Sequence, residues 1–314
     1  MIKHKYLKTD KHISINFYRG NFMKKLALLL GALAAISGSA YAKEEAPSLA
    51  VTYVGQSLEI DNTSGGENIG QEVHFGNSVG LEYKDWSFDV FARKTWSMDT
   101  DDGIHSAAHR IDFDVWKNYE NFSLGFRWRQ ESDIDGYYLR TKYEYGAFSG
   151  WIDAAYYSTN GDSEVGDNYY FEAQPFNYTI GPVTLGYYIE VGGLAVNTEN
   201  DGFKHDYRQQ LRVSLPIYEG EKLALGLEYR WQFDTDVKYD ENKAEGKWTE
   251  ASPNSHIFVL SANYAVTESL SLDGYYQYDM YKFDTKGHGD SYIDGGEDDG
   301  KYYGEFYLGW TYTF

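Results

Sequence analysis

The chain has no cysteine, which excludes disulfide bonds and thiolate metal sites. It has only five prolines, and beyond residue 42 it has no run of 18 apolar residues, so that part contains no transmembrane helix. Basic residues are also scarce, since 28 Lys and Arg stand against 48 Asp and Glu and the formal net charge is −20. This balance argues against a nucleic-acid partner, because phosphate binding needs clustered Lys and Arg.

Aromatic side chains are abundant although the chain is polar. They make up 18% of the residues, Tyr alone accounts for 31, and the mean hydropathy is −0.58. A transmembrane β-barrel explains both facts, because its lumen and loops are polar while its outer face and interfacial girdles carry Tyr, Trp and Phe.

The N-terminal part has the order of a secretory signal. Met23-Lys24-Lys25 is basic, residues 26–36 are apolar, and Ala40-Tyr41-Ala42 fits a small-x-small cleavage site. Such a signal predicts export to the outer membrane of a Gram-negative bacterium. The predicted organisation is an over-extended gene start at 1–22, a signal peptide at 23–42 and an outer-membrane β-barrel at 43–314.

The last residues alternate with a period of two. Even positions from Tyr302 to Phe314 are apolar, aromatic or Gly, whereas odd positions include Glu305, Thr311 and Thr313. This pattern predicts a strand with two different faces. It recurs in fourteen segments of the chain: 48–60, 69–84, 86–98, 107–118, 122–132, 136–146, 148–158, 169–180, 183–194, 203–217, 222–235, 254–266, 270–283 and 301–314.

The connections between these segments alternate in length. Short ones such as Lys84-Asp85 and Gly146-Ala147 are followed by long ones such as 236–253 and 284–300, which are rich in Asp and Glu. The connection 132–135 is short where a long one is expected. We therefore predict an all-β, transmembrane, antiparallel up-and-down barrel of about 14 strands. Its short turns are periplasmic, and its long acidic loops are extracellular.

Charged residues repeatedly occupy the face opposite the apolar one. A charge facing lipid near the membrane centre costs about 2–4 kcal/mol, so we expect these side chains to line a water-filled lumen. Two roles remain open, a ladder of salt bridges that stiffens the wall and a transverse field that orients solutes. The predicted lumen-facing residues are Arg93, Arg110, Asp112, Asp114, Arg127, Arg129, Arg140, Lys142, Glu144, Glu190, Arg208, Arg212, Glu228, Arg230, Asp273 and Glu305.

The predicted constriction brings two groups of these residues face to face. Four basic side chains on the fifth and sixth segments oppose three side chains on the eleventh and thirteenth. The first group is Arg127, Arg129, Arg140 and Lys142, and the second is Glu228, Arg230 and Asp273.

Catalytic and metal-binding motifs are weak. No Gly-x-Ser-x-Gly elbow occurs, although Asp112 and Asp114 lie near His109 and offer paired carboxylates with a histidine. The eight histidines show no metal-ligand spacing. We therefore expect neither a metal nor a cofactor.

His256 and His288 are candidates for a gate, because protonation of both would make their loops repel each other.

Three short stretches resemble the monomeric porin G (OmpG-type) family: residues 187–192, residues 212–217 and Tyr312-Thr313-Phe314. The resemblance implies a monomeric fourteen-stranded channel that passes ions and mono- to trisaccharides. The pH gate of that family resembles a histidine pair on strands twelve and thirteen. Here His256 opens the twelfth segment and the thirteenth has no histidine, so the resemblance does not carry the gate over. The twelve-stranded acidic-sugar porins, with rows of lumen Arg, are a rival resemblance that fits the Arg cluster but not the strand count.

Several partners follow from this prediction. The acidic loops suit lipopolysaccharide bridged by divalent cations, and the other partners are membrane lipid and small hydrophilic solutes. Trp310, Tyr312 and Phe314 form the expected recognition signal for the barrel-assembly machinery.

The predicted function is a porin for passive diffusion and not an enzyme. The alternatives are a surface adhesin with a closed lumen and a barrel hydrolase.

Overall fold

The computed structural model describes residues 48–64, 72–99, 103–160, 167–196, 203–242, 247–251, 254–282, 285–288 and 302–314. The predicted gene start and signal peptide lie outside them. The described residues form sixteen strands and no helix. The strands are β1 (Ala50–Ser64), β2 (Glu72–Tyr83), β3 (Trp86–Asp99), β4 (Gly103–Asn118), β5 (Phe122–Glu131), β6 (Ile134–Tyr145), β7 (Phe148–Ser158), β8 (Asp167–Ile180), β9 (Val183–Val196), β10 (Phe203–Glu219), β11 (Leu223–Asn242), β12 (Lys247–Ala251), β13 (Asn254–Ala265), β14 (Leu270–Lys282), β15 (Thr285–His288) and β16 (Tyr302–Thr313).

Fourteen of these strands close into one antiparallel barrel. Each of the fourteen pairs with the next of the fourteen along the chain, with β12 and β15 left out of the ring. The first, β1, pairs with the last, β16, and this completes the ring. The other two are short: β12 pairs with the end of β11, and β15 pairs with β12. The predicted fold class and strand number are therefore confirmed. The prediction was wrong in treating 236–253 and 284–300 as loops throughout, because β11 continues to Asn242 and these segments also hold β12 and β15.

The seam between the first and last strands is continuous. It runs in register from the pair Tyr53 and Thr313 to the pair Ser64 and Tyr302. Beyond β16, the Phe314 amide donates to the Thr52 carbonyl at 3.0 Å. A sheet closed in this way has no free edge, which lets it satisfy its backbone groups inside a bilayer.

The two faces of the barrel wall differ as the alternation predicts. Large apolar side chains on the outer face are exposed, for example Leu139 at 69%, Phe176 at 66% and Leu260 at 51%. On the inner face, Asp112 is 1% exposed and Asp114 is 3% exposed. Apolar outside and charged inside is the arrangement of a transmembrane barrel. The described part of the chain contains no helix that is long and apolar enough to cross a membrane.

Two prolines lie within strands, where they remove a ladder hydrogen bond. Pro175 falls in the register shift between Ala173 and Phe176 of β8, and Pro216 stands at the shift that precedes Tyr218 of β10. Bulges are the positions in a sheet interior that tolerate proline. Both strands therefore stay in the barrel.

Four two-residue turns begin with a left-handed residue, namely Lys84 (φ 57°), Ser132 (φ 52°), Gly146 (φ 61°) and Gly181 (φ 58°). A positive φ at the first turn position is typical of type II′ hairpins. In the first turn the Lys117 ammonium donates a hydrogen bond to Asp85, which lowers the pKa of that carboxyl. Gly146 would meet no atom within 4 Å if it carried a Cβ, so only its backbone conformation requires glycine.

We predict that Gly146→Ala destabilises the barrel by about 1 kcal/mol, the cost of placing a non-glycine residue in the left-handed region. Urea unfolding of the refolded protein in lipid vesicles measures this. Ala147→Ser in the same turn is the control and should change stability by less than about 0.5 kcal/mol. Equal stability of Gly146→Ala and the wild type would contradict the proposed turn strain.

Candidate channel lining

The inward face gathers the predicted lumen residues. The structure places all sixteen at strand positions that alternate with the exposed apolar side chains, so they point to the inside of the ring. Most of them pair with charges on the same strand, on the next strand or one strand further on. The pairing has three parts: a ladder on β4–β7, a tyrosine–carboxylate group on β8–β10, and a group on β10–β14.

Asp112 is the most enclosed charge of the ladder. It accepts hydrogen bonds from Arg110 Nε at 3.0 and 3.1 Å, from Arg129 Nε at 2.9 Å and from Arg129 Nη2 at 3.1 Å. Arg129 lies directly opposite Asp112 in the pairing of β4 with β5. Two guanidinium groups therefore neutralise one carboxylate that is 1% exposed.

The ladder continues across two further strands. Arg127 Nε donates to Asp114 at 2.9 and 3.0 Å, and Arg140 Nη1 reaches the same carboxylate at 2.5 Å. Arg140 Nε also donates to Asp153 on β7 at 3.0 and 3.1 Å. Four neighbouring strands are thus joined by charge-assisted hydrogen bonds, and the Arg129–Asp112 contact between β4 and β5 is bidentate.

Aromatic rings support the same arginines from inside the lumen. Arg140 and Lys142 lie over the Trp116 ring at 4.9 and 4.7 Å, and Arg129 lies over the Tyr138 ring at 5.0 Å. Gly125 makes room for the indole, because a Cβ there would stand 2.5 Å from the Trp116 ring. The general preference of membrane barrels for aromatics on the outer face does not predict Trp116 and Tyr138 in the lumen. Trp116 lies four positions from Asp112 and Tyr138 lies two positions from Arg140. An even separation places two residues on the same face of a strand, so the sequence did contain a signal for these two rings.

A second group on β8–β10 uses tyrosine between carboxylates. Glu172 and Glu190 stand directly opposite each other, and the Tyr188 hydroxyl lies 2.8 and 2.6 Å from them. Arg208 approaches Glu190 at 3.8 Å, and the Arg212 guanidinium stacks 3.9 Å from the Tyr188 ring centre. This part of the wall is again a network between neighbouring strands.

The third group lies on β10–β14 and lines a cavity of about 630 Å³. Arg230 donates to Glu228 and, at 3.1 Å, to Gln277, while Ser214 donates to Glu228 at 2.8 Å. Asp273 lines the same cavity.

Members of the two halves of the predicted constriction line two different cavities. Arg127 and Arg140 line a different cavity of about 340 Å³ with Asp112 and Asp114, whereas Glu228, Arg230 and Asp273 line the larger one. The predicted constriction remains a proposal, and three of its four basic residues, Arg127, Arg129 and Arg140, belong to the ladder.

One sector of the wall is acidic and has almost no bases in its own strands. The strands β14, β16 and β1 are adjacent, and Lys282 is the one Lys or Arg in their sequences. In a ring of fourteen strands β14 stands opposite β6, so this sector faces the ladder across the lumen. Its inward carboxylates are Glu59, Asp61, Asp273, Asp279 and Glu305.

Two of the predicted gating and catalytic histidines, His256 and His109, lie on the outer face of the wall. His256 is exposed on the outer face of β13, where its Nδ1 is 2.7 Å from the Tyr229 hydroxyl. The side chain of His288 lies outside the described part of the structure. His109 occupies the face of β4 opposite Asp112 and Asp114, so these three residues do not form the arrangement that a carboxylate–histidine hydrolase needs.

The terminal aromatics lie on the outer face of the closing seam. Trp310 Nε1 donates to Gln56 at 3.3 Å, and the Tyr312 and Phe314 rings meet edge to face with centroids 5.1 Å apart. Phe314 is 65% exposed. These side chains are therefore accessible from the membrane side, as a recognition signal requires.

We predict that Asp112→Asn destabilises the barrel by about 2–3 kcal/mol. Removing one partner of a buried ion pair costs about 3–5 kcal/mol, and water in the lumen partly solvates the arginines left behind. Urea unfolding in vesicles measures the change. Glu144→Gln, an exposed position on the same wall, is the control and should shift stability by less than about 0.5 kcal/mol. Similar losses for both variants would argue against a structural ladder.

No protein-family profile and no curated protein sequence matches the chain. Several solved structures have a general likeness to this barrel. One is OmpT (in-vitro folded), an outer membrane protein of Vibrio cholerae, which is 13% identical in sequence. The match covers 88% of this chain and 100% of that chain, with a TM-score of 0.44. An anion-selective porin from Comamonas acidovorans has 11% identity, covers 85% of this chain and 100% of its own, and has a TM-score of 0.40. A bacterial polysaccharide outer membrane secretin has 9% identity, 86% and 100% coverage, and a TM-score of 0.48. Such values describe a likeness among barrels and indicate neither solute nor activity.

Proposed function

We propose that this protein is an outer-membrane porin through which small hydrophilic solutes diffuse passively. The observation that carries the proposal is the direction of the lumen ion pairs. Each pair described above joins residues of one strand, of adjacent strands or of strands separated by one. Charges that are satisfied along the wall do not need to meet across the lumen, which supports a water-filled passage.

The charge balance of the wall supports a preference for cations. The ladder pairs its arginines with Asp112, Asp114 and Asp153, so that side is close to neutral. The opposite sector of β14, β16 and β1 is acidic, and Lys282 is the one Lys or Arg in the sequences of these strands. An excess of one sign in a narrow low-dielectric passage concentrates counterions of the other sign.

The number of strands, fourteen, is the number expected for the porin G (OmpG-type) family, and we propose that this protein acts as a monomer like that family. We also propose that the solutes are ions and small sugars. The outer membrane of a Gram-negative bacterium, reached through the predicted signal peptide, is the proposed location. Proposed partners are lipid, lipopolysaccharide bridged through divalent cations, and the assembly machinery that reads Trp310, Tyr312 and Phe314. The position of His256 on the outer face does not favour a lumen gate.

The two alternatives differ in support. A hydrolase would use Asp112 and Asp114, but two arginines hold each of these carboxylates and His109 is on the other face. An adhesin would act through the long loops, and it is distinguished by ligand binding without conductance.

The proposal is tested in planar lipid bilayers. The purified barrel should insert and give discrete conductance steps that grow with salt concentration. Solutes such as small sugars should swell vesicles that contain it at rates that fall with solute size. A barrel that inserts in folded form but never conducts would overturn the porin function.

We predict that the double variant Asp273→Asn/Glu305→Gln lowers the permeability ratio of K⁺ to Cl⁻, because it removes two negative charges from the acidic sector. Reversal potentials in a salt gradient measure this ratio. The matched control Glu120→Gln/Glu268→Gln removes two charges from exposed short turns outside the lumen. A shift as large in the control as in the lumen variant would show that the acidic sector does not set selectivity.

A further inference from the structure

We propose that the acidic sector contains a binding site for a divalent transition-metal ion, with Zn²⁺ as the probe. Glu59 and Asp61 of β1 and His74 of β2 each place one ligand atom within 4.8 Å of the others. Glu59 and His74 are direct partners in the register of the two strands. Glu72 adds a further carboxylate, with Oε2 3.7 Å from His74 Nε2. This combination of one imidazole and several carboxylates suits zinc and similar ions.

The distances fit a metal better than direct hydrogen bonds. His74 Nε2 lies 3.4 Å from Asp61 Oδ2, 3.7 Å from Glu59 Oε1 and 3.7 Å from Glu72 Oε2. Hydrogen bonds between such groups are about 2.7–2.9 Å long when charge-assisted. With bonds of 2.0–2.1 Å, two ligands of a tetrahedral zinc ion stand about 3.3 Å apart. The His74–Asp61 distance is close to that spacing, and the ligand atoms of Glu59, Asp61 and His74 all lie within 4.8 Å of one another.

The imidazole is buried and already oriented. His74 is 6% exposed, and its Nδ1 lies 2.8 Å from the hydroxyl of Thr95, which is 2% exposed. When Nδ1–H donates to that hydroxyl, the Nε2 lone pair points at the three carboxylates. Metal-bound histidines almost always have a partner of this kind on their second nitrogen, which fixes the ring.

A second observation also points to an absent ligand. Asp61 Oδ1 is buried and has no hydrogen-bond partner in the structure. A buried polar atom without a partner costs about 1–3 kcal/mol, so such atoms call for an explanation. Glu59 Oε1 lies 3.7 Å from His74 Nε2 and 3.9 Å from Arg93 Nη1. Because Arg93 donates its hydrogen bond at 3.1 Å to Glu131, this Glu59 oxygen has no close hydrogen bond from the guanidinium.

The test is an equilibrium titration of the purified barrel in detergent micelles after treatment with a chelator. Competition with a chromophoric zinc indicator should reveal one Zn²⁺ per chain. Because binding is read without any conductance measurement, the result does not depend on the porin function. Zinc-edge X-ray absorption should show nitrogen and oxygen neighbours at about 2.0–2.2 Å.

Three variants and one matched control sharpen the test. His74→Ala should abolish the stoichiometric site, and Asp61→Asn should weaken it at least 10-fold. The isosteric change Thr95→Val removes only the hydroxyl behind the ring and should weaken binding by about 10–100-fold. His256→Ala removes an exposed histidine from the outer face and should leave affinity unchanged. Urea midpoints and β-sheet circular dichroism establish that each variant is folded.

The outcomes separate a metal site from a simple ion pair. If the folded wild type takes up no stoichiometric zinc, the cluster is only a set of polar contacts between His74 and its neighbouring carboxylates and the proposal fails. It fails equally if folded His74→Ala binds as the wild type does, or if His256→Ala loses binding to the same degree, because the ion would then be held elsewhere.

Discussion

The structure depends on one constraint, the pairing of every backbone polar group within a hydrocarbon layer that offers no water. The seam between β1 and β16 meets it, because it removes the two edges that fourteen paired strands would otherwise expose. Closure then forces each strand to present one side chain to lipid and the next to the lumen. The polar composition and the large number of aromatics follow from this division, which explains how so acidic a chain can span a membrane.

The architecture was predictable because apolar and polar residues alternate with a period of two along each strand. The alternation alone predicted that Asp112 and Arg140 face the lumen and that Phe113 and Leu139 face lipid. The lengths of the connections indicated which ends of the strands are joined by short turns. The sequence did not predict β12 and β15, because they lie in segments without a buried face and depend on pairing with the extended end of β11. Polar composition in such a segment is typical of a loop and of a solvated hairpin alike.

The contacts within the lumen were much less predictable, since they depend on register between strands. Glu59 and His74 are 15 positions apart in the sequence and become neighbours only because β1 and β2 pair at that position. The spacing of histidines along the chain therefore could not indicate the cluster. Trp116 and Tyr138 were missed for another reason: membrane barrels use aromatics outside, and that tendency outweighed the parity of these two positions.

The choice of arginine explains how the charges are satisfied without closing the lumen. Eight of the nine predicted lumen cations are Arg, while Lys117 lies on the outer face at a turn. A guanidinium has five donors in a flat fork, so Arg140 can hold Asp114 and Asp153 on opposite sides of its own strand while its plane stacks on Trp116. A lysine ammonium is a point charge and would bind one such carboxylate well. The ladder thus becomes a set of cross-links that follow the wall. Because the ladder arginines satisfy carboxylates on neighbouring strands, they are not directed across the lumen. The strands β14, β16 and β1 on the other side therefore keep more carboxylates than bases, which is the charge balance on which the proposed preference for cations rests.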